Sequence, residues 1–448
     1  MSQSSLKQQA IRGTIWTIFG YGSSQVLRFA SNLILTRLLM PELFGLMALV
    51  QIFIQGLNLF SDIGIVPSII RSDRGDDPVF LNTAWTLQIL RGFGLWLGCL
   101  IFAYPIANYY DEPRLIWLIP LVGLNTIISG FNSTSLATLN RQMEVGKLSI
   151  LELGVQIVTL TIMIAWAWIS PTIWALVAGN LISIILKMLW SHSLNSGKSN
   201  HFAWNKEVIK EITSFGKWIF ISTAMTFLAS QTDRILMGKF LSLEILGVYV
   251  VAFTFADIPK QIGLKISSSV IFPAISKMID LPRRTLRAKI LQKRWKMLVL
   301  LALIVTFLVS FGDLIIVGLY DSRYESAAWM LPILALGLWP FLLCITVGPY
   351  LMAIGKPSYI ALGNFLKFVY MLVFFPIAFS VMGILGAIIV IAFNDITFYA
   401  AINYGLWREG LIIINQDILI TILLITAIAV CIVIRTLLGI GLPINVII

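Results

Sequence analysis

Residues 296–319 read KMLVLLALIVTFLVSFGDLIIVGL, with no charge between Lys296 and Asp313. A helix needs about 20 largely apolar residues to cross the hydrocarbon core of a bilayer. Comparable runs recur along the chain, and thirteen spans are read, at 12–36, 44–70, 84–108, 115–139, 148–169, 172–194, 213–238, 245–275, 296–319, 329–353, 358–381, 383–406 and 417–440. In lipid only helices and closed barrels satisfy every backbone hydrogen bond, and the short alternating strands of a barrel are not what these runs show. Composition agrees: 58% of the 448 residues are apolar and 12% charged, against roughly 25% charged in a soluble domain. The expected fold class is an all-α polytopic membrane protein.

Basic residues sort by side. With a cytoplasmic N-terminus, that side receives Lys7, Arg12, Arg71, Arg74, Arg141, Lys147, the clusters Lys187 to Lys217 and Lys277 to Lys296, Lys356 and Arg408. The other side receives Arg37, Arg114, Lys239, Arg323 and Arg435. Positive charge is retained on the cytoplasmic side of membrane proteins, so the net +11 reads as topology and not as nucleic-acid binding. The densely basic connection 276–295 serves that retention and attracts anionic headgroups. The first run lacks a small-residue cleavage site and reads as a span, not a signal peptide.

Several chemistries are excluded. Cys99, Cys344 and Cys431 stand alone in apolar runs, so neither a disulfide frame nor a metal site is indicated. The two histidines, His192 and His201, share a polar loop. Gly197-Lys198-Ser199 lacks the upstream glycine and strand of a P-loop, so no ATPase is built in, and no cofactor is expected.

The chain also repeats itself. Arg37-Leu38-Leu39-Met40-Pro41-Glu42-Leu43-Phe44-Gly45 aligns with Lys239-Phe240-Leu241-Ser242-Leu243-Glu244-Ile245-Leu246-Gly247 at an offset of 202, and Trp16 meets Trp218 at the same offset. Trp117-Leu118-Ile119-Pro120-Leu121 aligns with Trp329-Met330-Leu331-Pro332-Ile333 at 212, and Asn180 and Ser183 meet Asn394 and Thr397 at 214. Six spans per half is an even number, so the repeats are parallel, about an axis along the membrane normal. The expected organisation is an N-lobe at 1–195, a linker at 196–212, a C-lobe at 213–406 and a further span within 407–448. Two equivalent lobes around a central cavity suit alternating access.

Polar residues inside the spans fall at helical spacing. Tyr21, Gln25, Arg28 and Asn32 share one face of the first span, and Gln51, Gln55, Asn58 and Asp62 one face of the second. Asp257, Gln261, Lys265 and Ser268 do so in the eighth, with Lys260 nearby; Arg91, Lys367 and Asp395 lie in the third, eleventh and twelfth. A charge at the bilayer centre costs about 2.5–3.5 kcal/mol or more unless paired or wet. Asp257 with Lys260 or Lys265 reads equally as a structural pair or as a functional group. Arg28 has no acid within a turn of it in sequence, which points to a water-filled cavity. Arginine suits a phosphate group through its planar fork. The candidate substrate-contacting set is Arg28, Gln25, Asn32, Gln55, Asn58, Arg91, Gln261, Lys260, Lys265 and Lys367. Asp257 and Asp395 are candidates for holding a coupling ion.

Arg12-Gly13-Thr14-Ile15-Trp16, the turn Thr36 to Gly45, Asp62-Ile63-Gly64, Gln231-Thr232-Asp233-Arg234, Leu246-Gly247-Val248-Tyr249 and Phe272-Pro273 together resemble the pattern of Wzx-type polysaccharide flippases. The resemblance implies the multidrug/oligosaccharidyl-lipid/polysaccharide (MOP) exporter fold, MATE-like, with two six-helix lobes around a cationic cavity. It implies translocation of an undecaprenyl-diphosphate-linked oligosaccharide to the outer leaflet of the bacterial inner membrane. Membrane lipids, a polysaccharide polymerase and a chain-length regulator are the implied partners, and some relatives couple to protons or sodium. Relatives commonly have fourteen spans where thirteen are read here. Two alternatives remain at this stage: an ion-coupled drug exporter of the same fold, and a membrane-embedded polymerase or glycosyltransferase. The latter commonly carries a sizeable outside loop, whereas the outside loops here, such as Tyr109 to Arg114, are short.

Overall fold

The computed structural model describes residues 3–142, 144–194, 200–271, 275 and 282–443. Among them the regular elements are all helical. Chain contacts divide the protein into two compact units, Met1–Ala224 and Met225–Ile448.

The first unit contains α1 (Gln3–Leu38), α2 (Pro41–Phe60), α3 (Ile65–Arg71), α4 (Pro78–Tyr110), α5 (Leu115–Gly130), α6 (Ser135–Arg141), α7 (Val145–Ile169) and α8 (Ile173–Ser193). Helix α9 (Lys206–Phe240) runs from the first unit into the second. The second unit continues with α10 (Leu243–Ala256), α11 (Ile258–Ile266), a π-helical turn (Ser267–Ile271), α12 (Arg283–Leu319) and a 3-10 turn (Ser322–Tyr324). It ends with α13 (Ser326–Gly337), α14 (Trp339–Ile345), α15 (Gly348–Ala353), α16 (Ser358–Phe393), α17 (Asp395–Arg408) and α18 (Ile414–Leu437).

Among the described residues, seven helical stretches are long and apolar enough to cross a membrane, and ten if each of three bent pairs counts as one span. The chain is a multi-pass membrane protein. The bent pairs are α5 with α6 (61°), α10 with α11 (43°) and α13 with residues 339–353 (40°). One stretch, Ser358–Arg408, is 51 residues long and holds two of the expected spans. It breaks at Gly383, whose φ of 59° and ψ of −138° suit a residue without a β-carbon. Helices α1 and α9 cover two further expected spans and run for 36 and 35 residues.

Local chemistry sets several boundaries. Pro41 opens α2, where its missing N–H is no loss. Asp77 caps α4 by accepting from the Val79 N–H at 3.0 Å. That bond, and then Arg74, hold its carboxyl below the usual range. Ser242 caps α10, accepting from the Ile245 N–H at 3.3 Å. The duplicated Trp-x-x-Pro segments place Pro120 inside α5 and Pro332 inside α13, at equivalent points of the two halves. Gly337 permits a close helix crossing, since a β-carbon there would lie 2.2 Å from the Ala392 carbonyl oxygen.

Residues 283–295, expected in a cytoplasmic connection, are instead the first turns of α12. Leu286 and Ile290, one turn apart, are fully buried against Tyr350, Leu351, Ile402, Leu406, Leu411 and Ile413, and this apolar stripe keeps the helix wound beyond the span. Phe272-Pro273 and Gly197-Lys198-Ser199 lie outside the described residues.

Helix α18 is joined to α12 by two buried ion pairs of opposite sense. Arg294 of α12 meets Asp417 of α18, with side chains 2% and 3% exposed. Arg435 of α18 meets Asp313 of α12, at 1% and 10%. Tyr399 donates to Asp417 at 2.9 Å, and the Gln416 amide donates to the Leu291 carbonyl at 2.8 Å. Two pairs at opposite ends fix the register, because a slide along α12 would separate both at once.

Candidate functional site

In the first unit, α1 packs on α7 through a seam of small and polar groups. Ser24 donates to Gln156 at 2.6 Å, the Gln156 amide donates back to the Ser24 carbonyl at 3.0 Å, and Gly20 sits against Ser149. The stripe of Tyr21, Gln25, Arg28 and Asn32 runs along the same helix beside this seam. Gln25 donates to the Tyr21 hydroxyl at 3.1 Å. Arg28 is exposed, and its guanidinium has no ion-pair or hydrogen-bond partner among the described residues. Asn32 is half-buried and Gln55 exposed.

Arg91 and Asn58 meet each other at the end of α2. Arg91 donates from Nε to Ser61 Oγ at 3.0 Å and from Nη2 to the Asn58 carbonyl at 2.6 Å. The Asn58 amide donates to the Ile54 carbonyl at 3.0 Å. A helix C-terminus carries unpaired carbonyls and partial negative charge, so Arg91 acts there as a cap contributed by α4.

The second unit gathers the other cationic candidates. A cavity of about 40 Å³ is lined by Ser230, Asp233, Phe253, Lys260, Lys367, Asn394 and Asp395 among others. One water needs roughly 10–15 Å³ of such volume, so this space suits a few waters or a small ion and is far below a ligand pocket of roughly 300 Å³ or more. Lys367 donates to Asp395 at 2.7 Å, with the two side chains 13% and 7% exposed. Lys260 lies 3.2 Å from Asp257 and 5.1 Å above the Phe341 ring. Gln261 donates to the second Asp257 oxygen at 2.6 Å. Asp257 stands at the bend between α10 and α11, where Pro259 begins the new helix. Lys265 is half-buried further along α11 and does not line the cavity.

The structure therefore brings Lys260, Lys367 and Asp395 around one cavity, with Asp257 and Gln261 attached through Lys260. It adds Asp233, outside the candidate set, which accepts a hydrogen bond from the buried Tyr249 hydroxyl. Beside it Arg234 donates to Gln231 at 2.8 Å and lies 5.0 Å over Phe253. Tyr249 is across the α9–α10 turn, and no helical period connects it to Asp233, so spacing alone gave no signal for the pair.

The Lys367–Asp395 pair supports a test. Lys367→Met leaves a buried carboxylate without its counter-charge, a loss of about 3–5 kcal/mol. The melting temperature of the purified protein falls by several degrees and recovers when Asp395→Asn is added. A single variant that melts with wild type would show that the pair carries no such load.

The family model described as "Polysaccharide biosynthesis protein" matches residues 34–329. The chain belongs to this polysaccharide biosynthesis protein family. Within reach of the family, the chain is similar to the succinoglycan biosynthesis transport protein ExoT of Rhizobium meliloti, at 23% identity over 77% of this chain and 69% of that protein. It is also similar to the lipopolysaccharide biosynthesis protein WzxC of Escherichia coli, at 21% identity over 62% of this chain and 56% of that one. Two further curated relatives are likewise matched over only 57% of their length. Among solved structures, the lipid II flippase MurJ in an inward closed conformation superposes with a TM-score of 0.70, at 13% identity over 94% of this chain and 92% of that one. An inward-facing multidrug resistance MATE family transporter of the MOP superfamily gives 0.68, at 13% identity over 86% and 94%. The all-α, MOP/MATE-like fold class and the Wzx-type resemblance read from the sequence are thus borne out.

Proposed function

We propose that this chain is a flippase that carries an undecaprenyl-diphosphate-linked oligosaccharide from the cytoplasmic to the outer leaflet of the bacterial inner membrane, by alternating access, for surface polysaccharide biosynthesis. The observation that carries the reading is the family match over residues 34–329. The fold shared with a lipid II flippase is consistent with it. The chain is a transporter and not a polymerase or glycosyltransferase.

In this reading Arg28 contacts the diphosphate, and Gln25, Asn32, Gln55 and Asn58 offer amides to phosphate or sugar. Lys260, Lys265, Lys367 and Arg91 add positive charge. Asp257 and Asp395 remain the candidates for ion coupling, and an ion reaching either acid must compete with Lys260 or Lys367 (3.2 and 2.7 Å away). The same pairs weigh against export of an organic cation, since each acid already has a resident ammonium group. A cytoplasmic N-terminus, and a polymerase and chain-length regulator as partners, complete the proposal.

The test is direct. Purified protein in proteoliposomes should move a fluorescent undecaprenyl-diphosphate oligosaccharide between leaflets, read as loss of protection from a membrane-impermeant quencher. Protein-free and heat-denatured controls set the background. Quenching no faster than in those controls would overturn the assignment.

A further inference from the structure

Helix α12 is 37 residues long, about 55 Å at 1.5 Å per residue, against a hydrocarbon core of about 30 Å. Its exposed face shows where the surplus lies. Lys289, Gln292, Lys296, Leu300, Leu303, Phe307, Leu314 and Val317 are all exposed and recur at helical spacing, so they form one row, with Phe311 half-buried between Phe307 and Leu314. The row changes character once. From Leu300 to Val317 it is apolar, for roughly 26 Å, close to the hydrocarbon thickness. Below Leu300 its charged members are lysines. Trp295 and Lys296 sit at the change, where aromatic and basic residues mark the headgroup level.

The extension is rigid, because Leu286 and Ile290 are buried in the core of the second unit and Arg294 is tied to Asp417. Its outward cations are unneutralised. Among the described residues Lys289 and Lys296 have no ion-pair partner, and the nearby acid Glu409 is matched with Arg283 at 4.0 Å. Arg287, on the same extension, has a buried Nε with no hydrogen-bond partner. Retention of topology needs only positive charge somewhere in a loop. It does not need cations fixed on a docked helix in line with an apolar row.

We propose that the cytoplasmic end of α12 is a binding site for anionic phospholipid of the cytoplasmic leaflet. Lys289 and Lys296 hold headgroup phosphates, and the acyl chains lie along Leu300, Leu303 and Phe307. The continuity of the cationic and apolar parts on one exposed face favours a bilayer phospholipid over the lipid-linked substrate. The site does not depend on the flippase reading, because its readout is lipid binding and not transport.

The test uses the full-length protein in mild detergent, titrated with phosphatidylglycerol or phosphatidylcholine and read by native mass spectrometry. Wild type should retain phosphatidylglycerol in preference to phosphatidylcholine. Each cation removed should weaken retention about five-fold, so Lys289→Gln/Lys296→Gln should lose the preference, while Lys289→Arg/Lys296→Arg keeps it. If the double variant does not fold, the single variants carry the same test. Unchanged preference in the neutralised variants overturns the site. Displacement of phosphatidylglycerol by undecaprenyl diphosphate at equal concentration overturns the choice of occupant.

Discussion

Replacing Arg28 with alanine abolishes glycan export while the protein remains inserted and at wild-type abundance. Each hydrogen bond to a charged group contributes about 1.5–3 kcal/mol. Losing a two-bonded guanidinium–phosphate fork therefore predicts a drop on the order of a hundred-fold or more. Abundance should hold because the Arg28 side chain is exposed and supports no neighbour among the described residues. The α1–α7 seam runs instead through Gly20, Ser24 and Gln156. Arg28→Lys should recover only part of the activity, since an ammonium supplies charge without the planar fork. Surface glycan measured beside the amount of protein in the membrane fraction separates the two effects. Full export by the alanine variant would remove Arg28 from the site.

The second large effect falls on stability. Asp313→Ala leaves Arg435, 1% exposed, without a carboxylate inside the membrane domain. Removing one partner of a buried pair costs about 3–5 kcal/mol, whereas replacing both with apolar residues of similar volume is often neutral or stabilising. Asp313→Ala should therefore give little monodisperse protein on fluorescence-detected size exclusion. Asp313→Leu with Arg435→Met should return it to near the wild-type level. Equal behaviour of the single and double variants would mean that the charges themselves do not hold α18.

Much of this architecture is legible in the amino-acid order because a bilayer removes alternatives. A run such as 296–319 has to be a helix, and the turns Arg37 to Gly45 and Lys239 to Gly247 repeat because the two halves solve the same problem. The break at Gly383 falls at the first residue of the expected span 383–406, where one span gives way to the next. Partnerships are harder to read. Lys367 and Asp395 are 28 residues apart across that break, and Arg435 and Asp313 are 122 apart, so no local period connects them. Asp417 reads as the edge of a span and Arg435 as an outside cation until α18 is seen against α12. The extension of α12 is hidden by composition, since its arginines and lysines mask the Leu286–Ile290 stripe. For the candidate site, the polar rows on α1, α2 and α11 follow from spacing alone. The Tyr249–Asp233 contact needs three-dimensional proximity that spacing does not encode.

The sign-reversed clamp between α12 and α18 also has a consequence in time. A ribosome adds about 5–20 residues per second, so the 122 residues between Asp313 and Arg435 take on the order of 10 s to synthesise. Through that interval the nascent ninth span holds Asp313, and the extension before it Arg294, with their mates still unmade. A polypeptide interrupted before its last helix would keep Asp313 unpaired within the membrane, marked as unfinished for any quality-control protease that patrols there.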